Sequence, residues 1–463
     1  MSVDTKDHNR TVKVVQKRIG NFYKLNKRAR IFHGSTNSTR HKLDNSEYID
    51  ISNLNNILEV NSNKRYVLAE ANVSLEKLVD ATLAKGFIPP VVSEFPTITI
   101  GGAIQGGAGE SSSFKWGCFN EISLEYEIIL GDGSKIITSP KKNADLFYGI
   151  PSSCGSLGII TSAKLSLIPA TPTIKLIYQR VNSSEETIRL ISKLSRIKKK
   201  PDFIDSIMFS KTKGVVMVGY FTKLTDLPKA SFHRNSDEWF YLHAQKIMLN
   251  NKIYEELINT KDYLFRYDRG SFWAGRSGLK ILHIPFNRFT RLLLARILKT
   301  KTLLSFLHNA RLSQKFLIQD ICLPENNTIS FMKFVDEKYN IYPLWLCPIK
   351  TATKDFLSPN NLDTDLVINV GVWGGMSTDY DNFIRINREL ETIVRKLNGR
   401  KVLYAHQYYT KQEFWQIYDI EKYSKLRLKY LAKIVFPNIY DKTKVSVKYK
   451  PSIARGFWKL LIE

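Results

Sequence analysis

Five glycines fall within nine residues, Gly101, Gly102, Gly106, Gly107 and Gly109, inside the run Thr99-Ile-Gly-Gly-Ala-Ile-Gln-Gly-Gly-Ala-Gly-Glu-Ser-Ser-Ser113. Glycine lets another group approach the main chain and admits positive φ, so clustered glycines offer N–H donors to an oxyanion such as a pyrophosphate. The N–H groups of Gly102, Gly106, Gly107 and Gly109 could hold such an anion without a lysine, because hydrogen bonds to charged oxygens are among the stronger ones. Ser111, Ser112 and Ser113 add hydroxyls. A second glycine segment, Ser153-Cys-Gly-Ser-Leu-Gly158, follows and supplies Gly155, Gly158 and Ile160. A flexible linker is the alternative, but a linker would not interleave its glycines with Ile100, Ala103, Ile104 and Ala108.

The neighbouring elements must position this backbone. Ile98-Thr99-Ile100 reads as a short strand before the glycines, and residues 122–130 as a strand ending at the Gly131-Asp-Gly133 hairpin turn into 135–138. Asn143 to Gly149 is a short helical turn, and the second glycine segment leads into another strand. A nicotinamide-type Rossmann site needs its glycines between a strand and a helix. No helix pattern follows Gly109, so that reading is rejected. Upstream, residues 11–30 are basic with helical spacing, and 48–51, 57–60 and 65–69 read as strands. Ser74 caps a helix over 75–85. Beyond Pro172, strands at 174–181, 214–221, 341–348 and 365–375 alternate with helices at 184–195 and 381–397.

The chain has 463 residues, 43% of them hydrophobic, enough for two or three domains with buried cores. Its net charge of +26 points to an anionic partner. Between Gly270 and Gln319 there is no acidic residue, while Arg288, Arg291, Arg296, Lys299 and Lys301 alternate with leucines. Residues 286–312 therefore read as a basic amphipathic helix, either lying at an anionic membrane surface or packed on the core. Charge interleaved with leucine argues against nucleic acid as a partner. The tail 444–463, with Lys450, Arg455, Phe457, Trp458 and Lys459, is a second basic, aromatic surface. Cys118, Cys154, Cys322 and Cys347 lack metal-ligand spacing, so no metal is expected and a reducing compartment is. No signal pattern and no apolar run of about 18 residues is present, which gives an expectation of a cytoplasmic protein, peripheral on a membrane where the basic helix meets lipid.

The motifs Thr99 to Ser113, Lys115-Trp-Gly-Cys-Phe119, Asp145-Leu-Phe-Tyr148 and Ser153-Cys-Gly-Ser-Leu-Gly158 resemble the delta(24)-sterol reductase (seladin/diminuto) branch of the vanillyl-alcohol oxidase and p-cresol methylhydroxylase (PCMH) superfamily. The resemblance implies an α+β fold: a two-subdomain PCMH-type FAD-binding domain over 1–172, an α+β substrate or cap domain over 173–400, and a segment 401–463 returning towards the flavin. It implies FAD held non-covalently by Thr99, Ile100, Gly101, Gly102, Ala103, Ile104, Gln105, Gly106, Gly107, Ala108, Gly109, Glu110, Ser111, Ser112, Gly155, Gly158 and Ile160, with Gly34 to Ser38 as a first phosphate loop. His33 is read as structural. Glu110 would repel the pyrophosphate and is expected to point away, towards a ribose or a backbone amide. Family members carry an N-terminal membrane anchor, and none is recognisable here.

A reductase of this kind takes hydride from NADPH through the flavin to a carbon–carbon double bond in a sterol or isoprenoid-type lipid, and needs an acid near the alkene. Tyr404, His406, Tyr408 and Glu413 are the candidates, with Arg266 as electrostatic partner. His406 is attractive for its near-neutral pKa, although the family has an acidic residue at that position. An FAD-linked oxidase or dehydrogenase of an alcohol or sugar-lipid, and a non-catalytic lipid-binding relative, are the alternatives.

Overall fold

The computed structural model describes residues 5–34, 38–40, 47–376 and 379–462. The helix Thr5–Lys24 starts earlier and stops earlier than its periodicity predicts. Asn26 turns left-handed at φ 50°, and Arg30–Phe32 is drawn instead into a parallel pairing with Tyr48–Asp50. Val12, Val15 and Ile19 on this helix pack against Ala432, Val435 and Phe436 near the other end of the chain.

Two sheets carry the molecule. The first has five antiparallel strands in the order Ile57–Asn61, Tyr66–Glu70, Ile159–Ser166, Ser123–Ile129 and Lys135–Thr138. The second has nine, running Lys229–Ala230, Ile253–Asn259, Thr173–Val181, Lys213–Thr222, Phe203–Ser210, Leu344–Lys350, Leu366–Gly375, Phe316–Pro324 and Arg400–Lys401. Both of its faces are covered, so its strands read as long apolar runs. Alternation sorts them by face. Leu366, Ile368, Val370, Val372, Leu317, Ile321 and Leu323 meet the helices Ser184–Arg196, Glu325–Tyr339 and Tyr380–Lys396. Asn369, Trp373, Ile318, Asp320, Cys322, Trp345 and Ile349 point the other way, into a cavity shared with the first domain. The mixed helices and sheets make an α+β fold.

The glycine run is not a strand and a loop. Ile100–Gly106 is a helix, capped by Thr99 Oγ1, which accepts from Gly102 N at 3.2 Å, and closed by Gly107 at φ 70°. Ile100, Ala103 and Ile104 bury one face, the i, i+3, i+4 spacing of a helix. Each glycine costs about 1 kcal/mol there relative to alanine. Gly101 has a steric reason: a Cβ would stand 3.1 Å from Ala71 Cβ and 3.2 Å from its carbonyl oxygen.

The basic stretch 286–312 divides into Arg288–Leu293 and Thr300–Asn309. Thr300 restarts the helix because its Oγ1 donates to the Asp268 carbonyl at 2.8 Å. The second piece buries Leu303, Leu304, Phe306 and Leu307, whereas the first buries nothing and leaves Phe289 71% and Leu293 70% exposed. The core-packed reading therefore holds for the second half, while the first half stands exposed. Among the described residues no helix is long and apolar enough to cross a membrane.

His8 clamps the N-terminal helix to the first sheet, its Nδ1 2.7 Å from Glu70 Oε1 and its Nε2 3.0 Å from Glu127 Oε1. Burial opposes the imidazolium charge, but the two carboxylates outweigh it and lift the pKa from 6.5 to about 9. A raised folded-state pKa gives stability that is complete below pH 6.5 and lost as pH rises through about 9. His8→Ala is expected to cost on the order of 2 kcal/mol at pH 7 and almost nothing at pH 10. Hydrogen exchange of Thr5–Lys24 across that range checks this; a pH-independent difference would contradict the clamp.

Candidate active site

A cavity of about 620 Å³ lies between the glycine helix and the large sheet, within the range of small-molecule and cofactor sites. Its walls differ chemically. The strand Arg30–Phe32, Arg40 and the segment 441–449 bring Arg30, Arg40, Lys442, Lys444 and Lys448 to one side, next to Cys154 and Gly155. Arg40 Nη1 donates to the carbonyls of Leu403 and Ala405, the latter at 3.1 Å. Among the described residues, no carboxylate forms an ion pair with Arg30, Arg40 or Lys442. Burial, with Arg30 and Arg40 adding to it, lowers Lys442 to about 8. Crowded, half-desolvated cations of this kind call for an anion.

The large sheet supplies the other side. Ile318, Trp345, Ile349 and Trp373 join Phe95 and Ile98 in an apolar, aromatic wall, with Phe95 and Trp373 rings 6.2 Å apart. Two carboxyls interrupt it, Glu94 and Asp320. Tyr404 Oη donates to Asp320 Oδ2, and Asn369 Nδ2 donates to Oδ1 at 3.3 Å. The cavity thus pairs an anion-binding wall with a greasy one carrying acids.

Residues 9–139 match the family model described as FAD binding domain. The human Delta(24)-sterol reductase is 30% identical over 399 residues, 84% of this chain and 76% of the human one. The Caenorhabditis elegans Delta(24)-sterol reductase homolog is 29% identical over 86% of this chain and 79% of its own, and the pea Delta(24)-sterol reductase 27% over 88% and 77%. The chain belongs to the delta(24)-sterol reductase family.

The residues present fit FAD, although two of the four backbone donors that the glycine spacing suggests are already taken. Gly102 N–H is committed to the Thr99 cap and Gly107 N–H to the Ala103 carbonyl. The cations of the other wall would add counter-charge. Gly106 and Gly34 leave bare surface, since a Cβ on either would meet nothing within 4 Å. Thr39 Oγ1, in the same wall, is buried without a hydrogen-bond partner among the described residues.

Of the sequence-derived cofactor residues, the cavity brings together Thr99, Gly101, Gly102, Ala103, Gln105, Gly106, Gly107, Ala108, Gly109, Gly155 and Ile160. It leaves out six. Ile100 and Ile104 occupy the buried back of the helix. Gly158 packs on Ile128 and Ile129, where a Cβ would come within 2.7 Å of Ile128 Cγ2. Glu110 does turn away and accepts from a backbone amide, that of Ser111, as well as from the Ser111 hydroxyl, and it also pairs with Arg266 Nη2 at 3.0 Å; the buried Ser111 hydroxyl stands 3.2 Å from Tyr263 Oη. Ser112 is buried nearby. Gly34 and Ser38 of the first loop line the cavity; Ser35, Thr36 and Asn37 lie outside the described residues.

The acid candidates separate in the same way. Tyr404 reaches the cavity. His406 does not: it is buried beside Phe383, Tyr408 and Tyr449, and burial together with Arg40 and Lys401 lowers it to about 3. A ring that is neutral at pH 7 has no proton to give. Tyr408 sits in the same apolar cluster. Glu413 caps its own helix and pairs with Arg388 and Arg395, each at 2.8 Å. Arg266 is fully buried between Glu110 and Asp205, at 3.0 and 2.8 Å, so it cannot act on a substrate. The aromatic residues around it, Tyr263, Tyr267, Phe272 and Trp273, belong to the core.

Sequence reasoning missed Arg40, Lys442, Glu94 and Asp320. Asp320 carried a signal, being the lone acid in the apolar run 316–324. The others converge from loops with no local mark.

Gly106 and Gly107 now make different predictions. Gly106→Val projects into open cavity and should leave the melting temperature within about 4 °C while sharply lowering bound flavin. Gly107→Val should instead disrupt folding, because a Cβ there stands 2.5 Å from Ser152 Oγ and 2.9 Å from Pro359 Cδ on a backbone at φ 70°. Thermal melting beside the flavin spectrum distinguishes them; full flavin content in Gly106→Val would remove the helix face from the site.

Proposed function

We propose that this FAD-dependent oxidoreductase reduces a carbon–carbon double bond in a sterol or other isoprenoid-type lipid, with NADPH as electron donor. The observation that supports it is the single cavity with a cation-rich wall beside the glycine helix and an apolar wall carrying carboxyls. Bound there, FAD supplies the hydride chemistry. Arg30, Arg40 and Lys442 would neutralise its pyrophosphate, and the bare flank of Gly106 would let it lie against the helix. Phe95, Ile98, Ile318, Trp345 and Trp373 would take the apolar substrate and keep water from the reacting atoms. The substrate class is drawn from the names of the relatives and from that wall.

Purified protein should be yellow. Anaerobic NADPH is expected to bleach it, and a sterol with a Δ24 side-chain double bond to restore the oxidised spectrum. Bleaching by an alcohol in place of NADPH would turn the reading to an oxidase or dehydrogenase, and protein that cannot be loaded with FAD would remove both.

A cytoplasmic protein peripheral on an anionic membrane suits a substrate of this kind. The face is Arg288–Leu293, with Phe289, Leu292 and Leu293 exposed, flanked by Arg296, Lys299 and Lys301. Each basic residue near an anionic surface adds about 1 kcal/mol. Flotation with phosphatidylserine vesicles should succeed at low salt, weaken at high salt, and fail for the double variant Phe289→Asp, Leu293→Asp. Equal flotation of that variant would place the contact elsewhere.

A further inference from the structure

Reduction of an isolated double bond needs a proton as well as a hydride, and the groups that the sequence offered for it are out of reach or occupied. Three carboxyl residues line the cavity; Asp441 belongs to the cation-rich segment 441–449, and the two in the apolar wall, Glu94 and Asp320, are held in different ways. Asp320 accepts from Tyr404 Oη and from Asn369 Nδ2 at 3.3 Å, so both its oxygens are engaged as an anion's would be. Glu94 has one side-chain hydrogen bond among the described residues, from Ser93 Oγ, 2.6 Å from Oε2. It stands on the segment leading to Thr99, beside Phe95 of the apolar wall.

Their environments push the two acids apart. Burial raises Glu94 to about 8, with the charges of Glu110 and Asp320 adding to it. Burial raises Asp320 only to about 6, because the hydrogen bonds it accepts hold its charged form. At neutral pH Asp320 is the anion and Glu94 keeps its proton. Paired carboxyls with separated pKa values divide the roles of acid and charged partner. The charged and titratable groups around Glu94 are Asp320, Tyr404 and the thiol of Cys347 on the large-sheet side and Glu110, itself paired with Arg266, behind the glycine helix.

We propose that Glu94 is the proton donor of the reduction. This rests on the reading of the cavity as the site of double-bond reduction. One alkene carbon would receive a hydride, with both its electrons, from FAD already reduced by NADPH. At the neighbouring carbon the π pair takes the proton, so a C–H bond forms as the Glu94 O–H bond breaks. The Glu94 carboxylate is then reprotonated from water entering between turnovers. Tyr404 is the weaker acid, its hydroxyl proton being bound to Asp320.

The test uses holoprotein reduced anaerobically with NADPH and then mixed with a Δ24 sterol, following return of the oxidised flavin spectrum. Glu94→Gln, similar in shape and without the acidic proton, is expected to keep its flavin and its bleaching by NADPH but to reoxidise about 100-fold or more slowly. Glu94→Asp should recover part of the rate, and Tyr404→Phe should lose less than Glu94→Gln. The wild-type rate should be flat at low pH and fall as pH rises through about 8, a limb absent from Glu94→Gln. Infrared titration should show a protonated-carboxyl band lost over the same range and missing from that variant. Reoxidation of Glu94→Gln within about fivefold of wild type, or a larger loss in Tyr404→Phe, overturns the assignment. If wild-type flavin is bleached by NADPH but not restored by any sterol, the double-bond reading itself fails and Glu94 falls with it.

Discussion

One buried cation joins the two halves of the molecule. The guanidinium of Arg266 lies between Glu110, just past the glycine helix, and Asp205, in the large sheet. Tyr267 Oη and Trp345 Nε1 also donate to Asp205 Oδ2, at 2.7 and 3.1 Å, and the Tyr263 ring faces the guanidinium at 4.1 Å. Removing one partner of such a group leaves an uncompensated buried charge, typically a loss of 3–5 kcal/mol. Ile204 N–H donating to the Ser111 carbonyl at 2.7 Å ties the same two elements through the backbone. The cavity walls face each other because this junction fixes how the FAD-binding part meets the large sheet. Its other consequence is negative: Arg266 and Glu110 are committed to it and have nothing left for the chemistry.

The glycine helix shows how one segment meets two demands. Its apolar side must enter the core, which Ile100, Ala103 and Ile104 do, and its backbone must approach both Ala71 and the cavity. Glycine at 101 allows the first approach and glycine at 106 leaves the second open. The helical penalty of these residues is offset by the Thr99 cap and by burial of the apolar side. The resulting bonds consume the Gly102 and Gly107 donors, which leaves Arg30, Arg40 and Lys442 as the charged groups that could meet a phosphate.

The same cavity concentrates opposite electrostatic demands. Cations without carboxylate partners among the described residues gather at the end of the glycine helix, and two acids sit in the apolar wall. Low dielectric strengthens each effect: it depresses Lys442, and it raises Glu94 and Asp320 by different amounts according to the donors each finds.

Much of the fold was legible from residue order. The strands at 57–60 and 65–69, the helix capped by Ser74, the Asp132-Gly133 hairpin and the long apolar strands beyond Pro172 all follow from periodicity and turn chemistry, which are local. So does the place of the glycine stretch beside the cavity, which most of Thr99 to Gly109, and Gly155, line. The helix over Ile100–Gly106 was hidden because its glycines suppress the propensity signal, and its i, i+3, i+4 spacing spans only two turns. The break before Thr300 depends on Asp268, a contact that no local pattern contains. Which acid faces the substrate depended on tertiary structure for the same reason. His406 looked suitable by its ordinary pKa, but packing against Phe383 and Tyr408 strips it of its proton. Glu94 looked unremarkable in sequence, yet it faces the cavity and retains its proton. The sequence by itself determined most of the secondary elements and marked the glycine stretch, because those rest on neighbours along the chain. Only the tertiary structure decided which charged groups are spent on holding the domains together and which are left facing the cavity, because burial and distant partners set those.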